Sequence, residues 1–221
     1  MNFNITPIEA RILGCLIEKE ATTPDVYPLT LNNLLTACNQ KSSREPVMEL
    51  DADDLMSALD SLIDKTLVST WKSDRNRMAK YQHKMRHRVS DAFNFSLPEL
   101  AVLDILFLRG PQTVGEIRSR CARIHEFDNL DTVAAVLTAL EENYDGPYVT
   151  MLARQEGRKE PRYGHLFCGE PDEAAMPDPG SERAADGRNS RVEALELEVS
   201  ELKSQLHALE QRLGDFMKQF E

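Results

Sequence analysis

Seven cationic side chains lie within residues 71–88, a segment that contains a single acid. The whole chain has 221 residues and a formal net charge of −11. Clustered ammonium and guanidinium groups bind phosphate, whereas so acidic a total argues against a protein that coats nucleic acid over its whole surface. The segment is therefore a candidate nucleic-acid-binding site, and its cations are Lys72, Arg75, Arg77, Lys80, Lys84, Arg86 and Arg88.

The second half of this segment has the period of a β-strand, in which alternate side chains point to opposite faces. The even-numbered face is basic and consists of Lys80, Gln82, Lys84, Arg86 and Arg88. Trp71 and the odd-numbered Tyr81, His83, Met85 and His87 are expected to pack, which leaves the basic face for phosphate or a minor groove. Two alternatives stay open: an edge strand that lysines keep soluble, or an acidic partner, including this chain's own acidic helices.

A polar loop at residues 39–46 is the second candidate site. The connection between two predicted helices runs here from residue 40 to residue 50, whereas a helix-turn-helix turn has about three or four residues. Its side chains suit an anion or a partner's backbone, but they also suit a structural role in which Asn39 ends a helix and Ser43 or Arg44 ties the loop down. The candidates are Asn39, Gln40, Lys41, Ser42, Ser43 and Arg44.

The third predicted helix opens with Asp51, Asp53 and Asp54. Acids favour the positive end of a helix dipole, but carboxylates are repelled by the phosphates that flank a major groove. The corresponding later helix also carries acids and no basic residue. These helices are therefore expected not to read a major groove, and a helix that engages a basic protein is the alternative function.

The sequence offers little support for catalysis. It contains no G-x-S-x-G, phosphate-loop or H-E-x-x-H motif, and its five histidines form no ligand-spaced cluster with the four cysteines. We therefore expect no enzyme activity, no cofactor and no metal. The cysteines are far apart, as in free thiols of a reducing compartment, and neither a signal peptide nor an apolar run of membrane-spanning length occurs. A cytoplasmic location without membrane contact is expected.

An internal repeat organises most of the chain. The capping box that begins at Thr6 recurs at Ser96, residues 28–38 align with residues 111–121, and the Tyr-x-His that begins at Tyr81 recurs at Tyr163. Each unit has the pattern of three helices followed by a β-hairpin, which is the winged-helix plan. The predicted fold is thus mainly α with small β-hairpins (α+β), with winged-helix domains at residues 1–90 and 91–169.

The remaining chain predicts a linker and a dimerisation helix. Residues 170–190 are rich in proline, glycine, alanine and charge, which indicates a disordered acidic linker. Residues 191–221 carry apolar residues at alternating spacings of three and four, as in a coiled coil that forms a homodimer, although the helix could instead fold back on its own domains. The candidate dimerisation residues are Val192, Leu195, Val199, Leu202, Leu206, Leu209, Leu213 and Phe216.

The run TPDVYPLTLNNLLTACNQKSSREP, residues 23–46, resembles the YceH-like family of uncharacterised bacterial proteins. The resemblance covers about residues 5–170 and implies a tandem winged-helix fold and a cytoplasmic bacterial protein, with no established activity. The reading that follows is a non-enzymatic, nucleic-acid-associated regulator or accessory factor that uses the basic segment. The alternative is a protein–protein adaptor that binds no nucleic acid and engages its partner through the acidic third helices.

Overall fold

The computed structural model describes residues 4–73, 76–86, 93–153 and 160–171, with the side chains of residues 72, 73, 76 and 77 excepted, and all of them belong to one compact unit. This part of the chain contains helices and small antiparallel sheets, so the mixed α+β class is confirmed. In chain order its elements are α1 (Pro7–Thr22), β1 (Leu29–Thr30), α2 (Leu31–Cys38), α3 (Ala52–Asp64), β2 (Val68–Ser73), β3 (Asn76–His83), α4 (Leu97–Arg109), α5 (Val114–Cys121), α6 (Leu130–Glu141), β4 (Val149–Met151) and β5 (Tyr163–His165).

The two predicted capping boxes begin α1 and α4. At the start of α1, the Thr6 N–H donates to Glu9 Oε2 at 2.6 Å and the Glu9 N–H donates to Thr6 Oγ1 at 3.2 Å. At the start of α4, the Ser96 N–H and hydroxyl both donate to Glu99 Oε2, at 2.7 and 2.6 Å. These contacts satisfy backbone groups that a helix end would otherwise leave unpaired, so the local sequence determines where each helix begins.

Each unit ends in a small antiparallel sheet. The first has the strand order β1-β3-β2 and the second the order β4-β5. Strand β1 was not predicted from the sequence; it pairs Leu29 with Tyr81. The aligned positions of the second unit, Gln112 and Tyr163, form an isolated antiparallel bridge. The same pairing thus occurs in both units, where a residue just after a proline joins the returning strand of the hairpin.

Helices α1 and α4 pack against each other and join the two units through one hydrophobic core. A glycine lies at their contact, because a Cβ on Gly14 would stand only 2.7 Å from Leu108 Cδ2 and 3.2 Å from Phe107 Cβ. Side chains this close to a buried neighbour force a shift, so glycine permits the approach of the two helices. The predicted domain limits at residues 90 and 169 stay a prediction.

Some predictions fall outside the described residues. These are the linker beyond residue 171, all of the heptad tail with its candidate dimerisation residues, the cations Arg75 and Arg88, and the side chains of Lys72 and Arg77.

Candidate nucleic-acid interface

The basic hairpin, residues 68–86, is formed by β2, β3 and the three residues that follow β3. Its regular pairing places Val68 opposite His83 and Thr70 opposite Tyr81. Directly opposed residues share a face of an antiparallel sheet. Because Val68 and His83 are buried and Tyr81 packs against the core, these pairs define the inner face.

The outer face contains the alternate pairs, Ser69 with Gln82 and Trp71 with Lys80. The expectation that Trp71 packs with the odd-numbered residues is therefore wrong. The register places Trp71 opposite an even-numbered residue, and its side chain is 48% exposed. The alternation in the sequence predicts correctly which residues of β3 share a face. Which residues of β2 lie on that face depends on the turn and on an irregularity in pairing that follows Trp71.

Buried polar contacts hold the inner face of the basic hairpin in place. The His83 N–H donates to Tyr27 Oη at 3.0 Å, and the Met85 N–H donates to His83 Nδ1 at 3.3 Å. Since Nδ1 accepts, the ring proton lies on Nε2 and is donated to Glu20 Oε2 at 3.0 Å. The segment before α2 thus braces the strand through Tyr27, and hydrogen bonds hold the strand in place on both sides of His83.

Three of the predicted cations can be located on this hairpin. Lys80 and Lys84 are half-buried, Arg86 is exposed, and Met85 between the last two is fully buried. The Lys84 N–H donates to Leu67 O at 2.8 Å, so the alternation of faces continues past the end of β3. Within the described residues, no carboxylate forms an ion pair with Lys80, Lys84 or Arg86.

By contrast, side chains of the polar loop form hydrogen bonds with other parts of the protein. The Asn39 amide makes two hydrogen bonds with the backbone of Leu50: Nδ2 donates to its carbonyl at 2.8 Å and Oδ1 accepts from its N–H at 2.9 Å. Buried Arg44 donates to both carboxylate oxygens of Glu18, at 3.2 and 2.6 Å, and to Gln40 Oε1 at 2.9 Å. Asn39, Gln40 and Arg44 therefore have structural roles in the loop, while Lys41 stays exposed.

The polar loop also connects the two units. The Glu45 N–H donates to Leu108 O at 2.8 Å, and Arg109 Nη2 donates to Ser43 Oγ at 2.8 Å. Both partners lie at the C-terminal end of α4, where the last helical carbonyl groups need hydrogen-bond donors from outside the helix. The long connection between α2 and α3 is therefore a brace that joins the first unit to the second.

A buried polar cluster beneath this brace was missed by sequence reasoning. Arg11, which is 1% exposed, donates to Cys38 O at 3.2 Å and to Pro46 O at 2.6 Å. Asp104 of α4 is equally buried, and burial together with the nearby Glu18 carboxylate raises its pKa well above the usual value. The available signals were Asp104 within the apolar run VLDILFL and the seven-residue spacing of Arg11 and Glu18 on one face of α1.

The recurrent histidines pack in both units, as predicted. His83 is buried, and the ring centroid of His165 lies 4.9 Å from that of Phe107 in an edge-on arrangement. Burial lowers the pKa of His165 to about 4, so the ring is neutral near pH 7. These positions are structural in this chain.

The acidic start of α3 combines a capping role with exposed charge. Asp51 Oδ1 accepts from the N–H groups of Asp53 and Asp54, at 2.9 and 2.8 Å, and so caps the helix. The side chains of Asp53 and Asp54 are exposed, and Met56 beside them is 48% exposed. The Asp51 carboxylate therefore caps the helix, whereas those of Asp53 and Asp54 can repel an anion or attract a cationic surface.

Within the described residues, no three histidine, cysteine or acidic side chains are grouped so that they could hold a metal ion. None of the helices described there combines the length and the apolar composition of a membrane span. Cys15, Cys38 and Cys121 are buried free thiols, as expected, whereas Cys168 is exposed.

Comparison with known proteins gives consistent matches. A family described as "Protein of unknown function, DUF480" matches residues 5–158. The chain is 44% identical over 215 residues to proteins called "UPF0502 protein YceH" from Salmonella newport (strain SL254), Salmonella heidelberg (strain SL476) and Salmonella typhimurium (strain LT2). Each alignment covers 97% of this chain and 100% of the relative.

Proposed function

Because the chain belongs to the DUF480 family of YceH-like proteins, whose description assigns no activity, we propose its function from its own residues. The protein is a non-enzymatic, nucleic-acid-associated regulator or accessory factor that binds phosphates through the basic hairpin. The observation that carries this proposal is the set of three cations, Lys80, Lys84 and Arg86, which are half-buried or exposed and have no carboxylate partner among the described residues.

The distribution of cations over the fold supports this assignment. Arg11 and Arg44 are buried and donate to protein acceptors, and Arg162 forms an ion pair with Glu116 at 2.9 Å. An arginine that is already paired has little to offer a ligand, since its donors and its charge are satisfied. The cations of the basic hairpin differ because a buried inner face holds their strand in place and their side chains remain at least partly exposed.

A tandem winged-helix architecture fits the order of the elements. Three helices and a two-stranded hairpin occur in each unit, first from α1 to β3 and then from α4 to β5, which supports the winged-helix plan. In that plan α3 occupies the place of a recognition helix. Exposed Asp53 and Asp54 at its start disfavour entry into a major groove, so the hairpin provides the phosphate contacts instead.

The proposal includes a dimer in the cytoplasm. A coiled coil of residues 191–221 pairs two copies, and two linked hairpins then bind one nucleic acid more tightly than either alone. Truncation after Gly187 is expected to convert a dimer into a monomer in light scattering. A dimer that persists would assign the contact to residues before the tail.

The test is charge reversal with a matched control. Lys80→Glu, Lys84→Glu and Arg86→Glu together are expected to abolish binding of labelled DNA or RNA in fluorescence anisotropy, and the wild-type affinity should fall steeply with salt. Lys41→Glu alters the charge of an exposed lysine on the polar loop and should leave binding nearly unchanged. Binding that survives the triple reversal would refute the hairpin proposal.

A protein–protein adaptor is the second candidate, and the exposed carboxylates beside Met56 on α3 favour it. A basic partner would contact Asp53 and Asp54, whose replacement by Asn removes charge but leaves the Asp51 cap intact. The adaptor predicts that Asp53→Asn with Asp54→Asn reduces recovery of a partner from nuclease-treated extract. If recovery instead depends on nucleic acid being intact, the first proposal is favoured.

A further inference from the structure

The outer face of the basic hairpin carries an aromatic ring beside its cations. Trp71 is the single tryptophan of the chain, and it lies directly opposite Lys80 on the neighbouring strand. The next pair toward the core, Ser69 and Gln82, adds polar groups to the same face, with Gln82 Nε2 donating to Ser69 Oγ at 3.1 Å. An indole, an ammonium group and an amide are thus presented together.

The position of Trp71 is determined by the fold. The regular pairing of β2 with β3 ends at Trp71 and Lys80, on the turn side of the hairpin, where the indole has no core to cover. Both Trp71, at 48%, and Met78, at 55%, are exposed although they are large and apolar. The opposite face of the same strands is occupied by buried Val68 and His83, so the indole cannot turn inward without reversing the register.

We infer that Trp71 stacks on an unpaired nucleobase while Lys80 binds a neighbouring phosphate, so that the ligand of the basic hairpin is single-stranded or locally unpaired nucleic acid. This inference rests on the proposed function and narrows its ligand. Aromatic side chains next to cations are the usual means of binding single strands, because every base has a π-face and every nucleotide a phosphate.

A regular duplex fits this surface less well. In a double helix the faces of the bases are covered by their neighbours, so an indole on a hairpin could meet only base edges and backbone unless it forced two base pairs apart. An unpaired base offers its face directly. The acidic start of α3 adds repulsion against a duplex seated in the manner of a helix-turn-helix protein.

The fluorescence of Trp71 tests this inference directly, because no other tryptophan contributes. The full-length protein is titrated at low salt with oligo(dT), with oligo(U) and with a DNA duplex of equal phosphate number. Both single strands are expected to quench the emission as they bind, and the duplex should bind more weakly without quenching. Emission that the single strands leave unchanged, or that the duplex quenches equally, overturns the inference.

Variants separate stacking from charge. Trp71→Ala should weaken single-strand binding by about tenfold or more without changing the salt dependence, and Trp71→Phe should restore part of the loss. Lys80→Gln should instead reduce the salt dependence. Tyr144→Ala, at a tyrosine that is 99% exposed in the second unit, is the matched control and should have no effect.

The same measurements distinguish a failure of this inference from a failure of the proposed function. If Trp71→Ala binds single strands as tightly as the wild type while charge reversal of the hairpin abolishes binding, stacking is refuted and the proposed function stands. If neither single strands nor duplex binds to the wild-type protein, the proposed function is refuted and the inference with it.

Discussion

The polar loop and the basic hairpin are both candidate binding sites in the sequence, yet the structure buries an arginine of the loop and exposes an arginine of the hairpin. Arg44 of the loop is buried against Glu18, whereas Arg86 of the hairpin is exposed and lacks a described carboxylate partner. The difference depends on the neighbouring element. Helix α1 places a buried carboxylate beside the loop, whereas the hairpin makes its buried polar contacts through His83 on the inner face and not through its cations. Residue type therefore identifies candidates, and only the partners of each side chain distinguish a brace from a binding surface.

The largest effect that would test this contrast is the loss of Arg44. Arg44→Ala leaves the buried Glu18 carboxylate without its bidentate partner and with Lys19 Nζ at 3.6 Å, and removing one member of a buried ion pair costs about 3–5 kcal/mol. Urea unfolding should show a correspondingly lower free energy of unfolding. Lys41→Ala is the control, because it removes a charge of the same sign from the same loop. It should change the free energy of unfolding by less than about 0.5 kcal/mol. Equal effects of the two variants would contradict the brace.

A pH series then tests the buried cluster that the brace covers. Burial raises the pKa of Asp104, so the folded protein binds a proton that the unfolded chain releases above pH 4. The contribution of Asp104 to the free energy of unfolding should therefore fall as pH rises above about 4, by up to ~1.4 kcal/mol per pH unit. The lowered pKa of His165 contributes in the opposite direction up to about pH 6.5, so the effect of Asp104 is measured as the difference between the wild type and Asp104→Asn. Asp104→Asn should remove this loss and stabilise the protein at pH 8 relative to the wild type.

The control for that series is Asp64→Asn, at an exposed position of α3. It should leave the pH dependence of unfolding as it is in the wild type. If Asp104→Asn showed the same pH dependence as the wild type, Asp104 would ionise without cost.

A smaller loss is expected at the start of the polar loop. Asn39→Ala removes both hydrogen bonds to the Leu50 backbone and leaves two half-buried polar groups unpaired, which costs about 1–3 kcal/mol. Thermal unfolding measures the change. Asn33→Ala, on the exposed face of α2, serves as the control and should have almost no effect. A loss at Asn39 no larger than that at Asn33 would contradict the role of the Asn39 amide.

The smallest effect on stability is expected on the hairpin, where the effect on binding should be clear. Arg86→Ala should change the free energy of unfolding by less than about 0.5 kcal/mol, because the side chain is exposed. In anisotropy titrations it should reduce the slope of log affinity against log salt by about 1. A stability loss as large as that of Arg44→Ala would remove the distinction between the two regions.

Local sequence signals predicted a large part of this fold. The capping boxes gave the starts of α1 and α4, the alternation of β3 gave its two faces, and residues 23–46 gave a family resemblance that the comparisons confirm. The capping boxes and the alternation each lie within one element or at its end. Such local signals predict helix starts and strand faces without knowledge of how the elements pack together.

The errors arose where two elements meet. Trp71 was assigned to the wrong face because the register between β2 and β3 depends on the turn, which the sequence does not specify. Arg11, Glu18 and Asp104 were overlooked because polar residues on a helix are usually solvated, and only the packing of α1 against α4 buries them. The polar loop was left ambiguous for the same reason, since its partners lie on α1 and α4.

The glycine at the contact of α1 with α4 has a consequence for genetic dissection of this protein. Because Gly14 lets Leu108 approach the backbone of α1, separation of the two units would expose a flat apolar strip on each of them. Such strips promote aggregation when they lose their cover. The smallest fragment that behaves well on its own is therefore expected to retain both units, and a hairpin-bearing half expressed alone is a poor substitute for the whole.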